Sequence, residues 1–230
     1  MTRYSSAEEV RKEHLDTLGP DFGPVYHALY NECTLLHIKW HQYVELYGTK
    51  PERINLLNRA AGLFFRVVQD TLWEDTLLNI ARLVDPPISI GKDNLTVQRL
   101  PPLIVDVEFR TEIQGLVNAA VNATAFARDW RNRHIAHRDL TIALEEGPKA
   151  LSPASRKHVK EALHAVSRVL QRVNEFYFNS EVRFDIIAEP NDAISLLYVI
   201  QDGVEAEEQR QQRLREGKIE PDDIQQPREV

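Results

Sequence analysis

The chain has 230 residues, 43% of them hydrophobic and 27% charged, with a formal net charge of −7. That is an ordinary globular composition, long enough for one large domain or a domain with an appendage, and it counts against a protein that coats nucleic acid through a broad basic surface. No window approaches the roughly 18 uncharged apolar residues of a membrane span, the start lacks a signal peptide's apolar core, and the lone Cys33 permits neither a disulfide framework nor a cysteine-built zinc site, so the reading is a cytoplasmic protein without membrane contact.

Ser5-x-x-Glu8 and Ser6-x-x-Glu9 are overlapping capping boxes that open a short helix, and Gly19-Pro20 ends it. A second helix is predicted from about Pro24 to Leu46, with Leu29, Leu36, Trp40, Tyr43 and Tyr47 on one side. Pro51-Glu52-Arg53 suits a first helical turn. Leu56, Leu57, Ala60, Leu63, Phe64, Val67, Val68, Leu72, Leu77, Ile80 and Leu83 then form an apolar stripe that reaches Val84 without a breaker. Asp85-Pro86-Pro87 stops this helix, because neither proline can donate to the ladder and the first restricts its predecessor. A loop through Gly91-Lys92-Asp93-Asn94 and a short turn over residues 95–100 lead past Pro101-Pro102 to a helix starting near Asp106. Phe109, Ile113, Leu116, Val117, Ala120, Phe126 and Trp130 keep its spacing.

Gly147-Pro148 lies in a connection over residues 139–151, after which Ser152-Pro153 reads as a cap and a first-turn proline. Val159, Leu163, Val166, Val169, Leu170, Val173 and Phe176 define a helix lasting to about Tyr177. Residues 179–190 are ambiguous between a short strand and an extended link. A last amphipathic helix carries Ile194, Leu197, Tyr198 and Val204 and runs into a polar stretch over residues 205–215; from about Gly217 the composition reads as disordered. The fold class is all-α, an up-and-down bundle of four to five long helices with an accessory C-terminal helix. Four segments follow: an N-terminal helix over residues 1–20, the bundle over 21–180, a link and C-terminal helix over 181–216, and a tail over 217–230.

The densest chemistry is Arg131-Asn132-Arg133-His134-Ile135-Ala136-His137, with Arg128 before it and Arg138 after it. Four arginines stand here against one acid, Asp129, so the positive charge is local and suits a few phosphates better than a long groove. An arginine keeps its charge and matches phosphate oxygens with a planar fork, while a histidine exchanges a proton near neutrality. Together they supply what phosphodiester cleavage needs when no metal is used. On one ideal helix Arg131 and His137 are about 120° and about 9 Å apart. Either the helix breaks near His134 or a second copy completes the site, and the spacing favours a homodimer across this segment. A plainer reading competes: arginine and histidine are favoured near a helix C-terminus, and Asp129, Arg133 and Asp139 can pair with one another. His37 and His41 lack a carboxylate to complete a metal site, and Glu161-x-x-His164 has no second copy, so neither a metal nor a cofactor is called for. Cys33 reads as a packed thiol.

At these residues the chain resembles HEPN-domain proteins. Residues 131–137 fit their R-x(4–6)-H signature, with Asn132 as the polar residue that follows the arginine. The stretch extended through Arg138-Asp139 resembles the AbiU-type abortive-infection HEPN-like family. So does Asp75-Thr76-Leu77-Leu78-Asn79-Ile80-Ala81-Arg82-Leu83-Val84-Asp85, followed by Asn94-Leu95-Thr96. The likeness in helical layout spans about Leu36 to Phe178. It implies a helical bundle that dimerises across the motif and cleaves RNA without a metal, as a toxin or phage-defence effector with a cognate antitoxin or regulatory protein for a partner. Arg131 and His137 take the catalytic roles and Asn132 a supporting one; His134, inside the motif, makes a second imidazole eligible. Arg128, Arg133 and Arg138 are placed to bind flanking phosphates, and Trp130 to stack on a base or, as is commoner for a helical tryptophan, to pack in the core. Some HEPN-like proteins are noncatalytic, so the alternative is a helical module that binds a protein partner or RNA.

Overall fold

The computed structural model describes residues 6–136, 140, 144, 151–186 and 192–223. His137, Arg138 and Asp139, the Gly147-Pro148 pair, residues 187–191 and residues 224–230 lie outside them. The described residues are helical apart from one two-residue hairpin, short turns and links, so the chain is all-α as its periodicity predicts.

Helix α1 (Ala7–Tyr43) opens on the predicted capping box: the Ser6 N–H donates to Glu9 Oε2 at 2.7 Å and the Glu9 N–H to Ser6 Oγ at 3.2 Å. Gly19, at φ 79°, breaks it into two arms, which is the left-handed backbone that glycine adopts without steric cost. The arms close so tightly that a Cβ on Gly23 would lie 2.9 Å from Leu15 Cα. The second arm starts at Pro20 rather than at Pro24: Pro20, in the first turn, forfeits no internal hydrogen bond, and Pro24, one turn on, leaves only the Pro20 carbonyl without its helical donor. A π-helical turn (Val44–Gly48) and helix α2 (Pro51–Leu83) follow, α2 being interrupted by a non-helical Ala61.

The chain divides into two compact units, residues 1–40 with 72–187 and residues 41–71 with 188–230. In the first unit Tyr26, Leu29, Leu36, Leu77, Ile80, Ile113 and Leu170 are among the fully enclosed side chains. The Tyr26 hydroxyl donates to the Leu170 carbonyl at 3.2 Å, which satisfies the one polar atom that its ring carries into the core. Helix α3 (Val107–Ala123) is capped by Asp106, which accepts from the Phe109 N–H at 2.8 Å, and packs on helix α5 (Arg156–Phe178) through a Phe109–Phe176 stack with centroids 3.8 Å apart.

The single helix predicted up to Trp130 is in fact two. At Thr124 the side-chain hydroxyl bonds the Ala120 carbonyl at 2.8 Å, a competition that bends helices, and a short helix α4 (Ala125–Trp130) resumes beyond it. Helix α5 is capped by Ser155, not Ser152, with the His158 N–H 3.3 Å from Ser155 Oγ. It ends at Asn179 in the left-handed region, φ 47°. The described part of the ambiguous link, residues 179–186, forms no strand; Gln171 and Asn174 instead bond the carbonyls of Val182 and Ser180.

Between α2 and α3 the expected loop contains a hairpin, β1 (Ile88–Ser89) against β2 (Lys92–Asp93), turned by Ile90 and Gly91 at φ 50° and 72°. Positive φ at both central residues is the turn whose twist fits a two-residue hairpin.

The second unit gathers Leu46, Leu57 and Phe65 with Ala193 and Leu197 of helix α6 (Ala193–Arg215). Asp192 caps α6, and Gln42 Oε1 accepts from the Ala193 N–H at 2.7 Å. Of the tail expected from about Gly217, the described residues reach Asp223. Pro221–Asp223 forms a 3-10 turn in which Asp223, 3% exposed, accepts from Arg213 Nε at 3.0 Å and Nη2 at 2.5 Å. The Arg213 hydrogen bonds and the Glu220 N–H hold that carboxyl down at about 2.

Candidate functional site

Helix α4 ends in a π-helical turn over Arg131–Ile135, closed by the Ala136 N–H on the Arg131 carbonyl at 2.8 Å. Such turns insert one residue into a helix and recur at functional sites. The ideal α-helix on which Arg131 and His137 fall about 120° apart therefore does not hold through this segment.

The last turn of α4 is pinned at two points. Trp130 Nε1 donates to the Ser152 carbonyl at 2.8 Å, and the Ser152 N–H donates to Asp129 Oδ2 at 2.8 Å. Ser152, predicted as a helix cap, thus serves as the anchor of this segment. Burial works against the charge of Asp129, but the Ser152 donors and the Arg133 guanidinium outweigh it and hold the carboxyl below its usual range. Trp130 packs against the core, with the His134 ring edge-on at 5.4 Å.

Arg131 is held from two sides. Its Nη1 forms an ion pair with Asp85 Oδ2, and its Nε donates to Asn132 Oδ1 at 3.0 Å. The two ion-paired side chains retain only 25% and 13% exposure. Nη2 meets no acceptor among the described residues. His134 Nε2 lies 3.4 Å from Glu74 Oε1 of α2, and Arg133 Nη1 lies 3.4 Å from Asp129 Oδ1. Arg128 is half-buried and meets no acid among the described residues.

The backbone under Asp85 is clamped. The end of α2 leaves carbonyls without helical partners, and side chains from residues 94–99 take five in a row. Thr96 Oγ1 donates to the Leu83 carbonyl at 3.0 Å. Gln98 Nε2 donates to those of Val84 and Asp85 at 2.7 and 3.2 Å. Asn94 Nδ2 and Arg99 Nη2 reach those of Pro86 and Pro87 at 2.7 and 2.6 Å. The stretch Asn94-Leu95-Thr96 thus acts on the same place as the segment that ends at Asp85, which gives those two blocks of sequence one physical purpose.

Of the residues singled out from sequence, Arg131, Asn132, Arg133 and His134 lie together at this turn, while His137 and Arg138 lie outside the described residues. As partners of this turn Asp85 and Glu74 escape sequence reasoning, which sees in Asp85 the stop of a helix and the end of a family-like block. One signal was present: a carboxylate at a helix C-terminus is in the place where the macrodipole disfavours it. Elsewhere His37 is a core group, its Nε2 2.7 Å from Ser167 Oγ, and burial lowers its pKa to about 4. Burial also pushes the Cys33 thiol up to about 12. Among the described residues no cluster of three or more His, Cys, Asp or Glu could hold a metal, and no helix is long and apolar enough to cross a membrane.

Residues 19–196 match the model of the HEPN-type AbiU2 family, whereas no curated protein and no solved structure matches the chain.

Proposed function

From its membership of the AbiU2 family of HEPN proteins, matched over residues 19–196, we propose that the chain is a metal-independent endoribonuclease of abortive-infection type. The family suggests a ribonuclease or an abortive-infection role. The observation that carries the finer reading is the Arg131 guanidinium, fixed on Asp85 and Asn132 with Nη2 left over.

In this reading the ribose 2′-oxygen attacks the adjacent phosphorus, the bond to the 5′-oxygen breaks, and a 2′,3′-cyclic phosphate and a 5′-hydroxyl are left. His137 takes the proton from the 2′-hydroxyl, and an imidazolium returns one to the 5′-oxygen; the same residue of a second copy, or His134, supplies that acid. Arg131 stabilises the charge that grows on the phosphoryl oxygens, and removing such a donor costs about 3–4 kcal/mol at the barrier. Asn132 keeps Arg131 aligned, and Arg128 and Arg138 hold flanking phosphates. The site is shared by a homodimer across this turn, with a cognate antitoxin or regulatory protein as its control.

One observation favours the alternative, a noncatalytic module: Arg131, Arg133 and His134 each face an acid of their own chain. Incubating total RNA with the protein in EDTA separates the two readings. The enzyme gives fragments ending in 2′,3′-cyclic phosphate, lost in His137→Ala and reduced at least about 100-fold in Arg131→Ala. Unchanged cleavage by His137→Ala removes that residue from the mechanism. Loss of wild-type cleavage in EDTA, with recovery on adding a divalent cation, points to a metal enzyme. Absence of cleavage with and without metal supports the module.

A further inference from the structure

Asp85 lies two residues past the end of α2, where the helix macrodipole disfavours a carboxylate. It is mostly buried, and its Oδ1 has no hydrogen-bond partner among the described residues. A carboxylate kept only for the fold would have both oxygens bonded, because an unsatisfied buried acceptor is destabilising. What occupies Asp85 instead is Arg131, through Oδ2, from a segment 46 residues away in sequence.

We infer that Asp85 is the positioning residue of Arg131: it sets the angle of the guanidinium so that Nη2 faces an RNA phosphate, an assignment that rests on the reading of Arg131 as the phosphate-binding group. Three features support it. The neighbouring charges are already allotted, Asp129 to Arg133 and Glu74 to His134, which leaves Arg131 to Asp85. The Asp85 backbone is fixed by Gln98, and the carbonyls on either side of it by Thr96, Asn94 and Arg99, so the carboxylate sits on a rigid support. Asn132 holds Nε, so two of the three guanidinium nitrogens are fixed and the orientation of the third follows.

A positioning role differs from a stabilising one in how its loss combines with the loss of Arg131. The full chain is assayed on a fluorescein-labelled pool of random 20-nucleotide RNA. Asp85→Ala lowers kcat about 10- to 100-fold with KM changed less than about 3-fold, because orientation is felt at the transition state. Asp85→Asn, which keeps shape and one acceptor, falls between. In an Arg131→Ala background the further loss from Asp85→Ala disappears. Equal losses in both backgrounds overturn the inference.

If the wild-type chain cleaves nothing, the enzymatic reading fails, and the positioning of Arg131 is then read from its own reactivity. Phenylglyoxal closes its adduct across two guanidinium nitrogens, of which Nη1 is covered by the Asp85 carboxylate, so modification of Arg131 followed by mass spectrometry is several-fold faster in Asp85→Ala. Comparison with Arg128, a half-buried residue with no acid partner among the described residues, corrects for any general loosening. An unchanged rate at Arg131, or an equal acceleration at both arginines, overturns the inference.

Discussion

The two compact units solve the same problem with unequal means. Residues 1–40 and 72–187 close around a large core to which all five of their described helices contribute, in which Tyr26, Leu77, Ile80, Ile113 and Leu170 have no exposed surface. In the other unit the core is Leu46, Leu57, Phe65, Ala193 and Leu197, and only Leu57 and the small Ala193 fall below 5% exposure. That unit leaves Leu63, Phe64 and Val67 at 82%, 62% and 57%, and Tyr198 and Val199 at 66% and 70%. The difference teaches where the chemistry belongs. A guanidinium held at a fixed angle needs neighbours that do not move, and every residue of the Asp85–Arg131 arrangement lies in the unit with the larger core.

The widest separation between the units is expected in stability. Leu170→Ala removes a fully buried side chain from a closely packed place and costs about 2–5 kcal/mol. Leu57→Ala falls at the low end of that range, since the sparse surroundings can relax into the space. Urea denaturation measures both, and hydrogen exchange locates them: amides of residues 51–60 open at lower free energy than those of residues 75–83. Equal protection of the two stretches would break the contrast.

A smaller effect follows from the histidines, which the larger unit buries as neutral groups. Burial, with His27 beside it, lowers the pKa of His14 to about 4; burial of His37, opposed by Asp185, leaves it at about 4 as well. His14 shares a hydrogen bond of 3.1 Å with His27 and faces the rings of Tyr26, Tyr30 and Phe178. His37 faces Ser167 and Phe184. The unfolded chain protonates these imidazoles near 6.5, so below that pH it binds more protons than the folded one. Stability is therefore full above about pH 6.5 and falls as the pH is lowered toward 4, by about 1–3 kcal/mol for each residue. His37→Gln makes the acid limb shallower; a slope unchanged in that variant would show that His37 is solvated.

How much of this was legible in advance depended on range. Helix ends are set by residues within one turn, so Ser6, Gly19, Asp106 and the Asp85-Pro86-Pro87 stop could be read directly. The interruption at Thr124 and the π-helical turn at Arg131 depend on side-chain competition and on Ser152 in a distant connection, to which periodicity is blind. The Arg–His segment was visible as composition, and so was the local Asp129–Arg133 pair, whereas its distant acids were not: Asp85 and Glu74 reach it from another helix and its end, across an interval of sequence that no spacing rule covers. Ser152 shows the same limit from the other side. Its position before a proline is a good capping signal, but its backbone is used by Asp129 and Trp130, and the cap moves to Ser155.

The α2 stripe turns that limit into the smallest and most discriminating expectation. Leu63, Phe64 and Val67 share a helix face by spacing just as Leu77, Ile80 and Ala81 do, but periodicity says only which residues are neighbours, not whether anything covers them. For a side chain already in water, truncation removes little buried area. Leu63→Ser and Phe64→Ser should therefore change the unfolding free energy of the isolated chain by no more than about 0.5 kcal/mol. That value would stand against the 2–5 kcal/mol of Leu170→Ala on the same scale. The measurement is best repeated over a hundredfold range of protein concentration, because an interface between copies makes apparent stability depend on concentration whereas a bare surface does not. A loss above about 1 kcal/mol that grows with concentration would mean that the outer face of α2 is buried in an assembly, and the weaker unit would then owe its stability to a second chain.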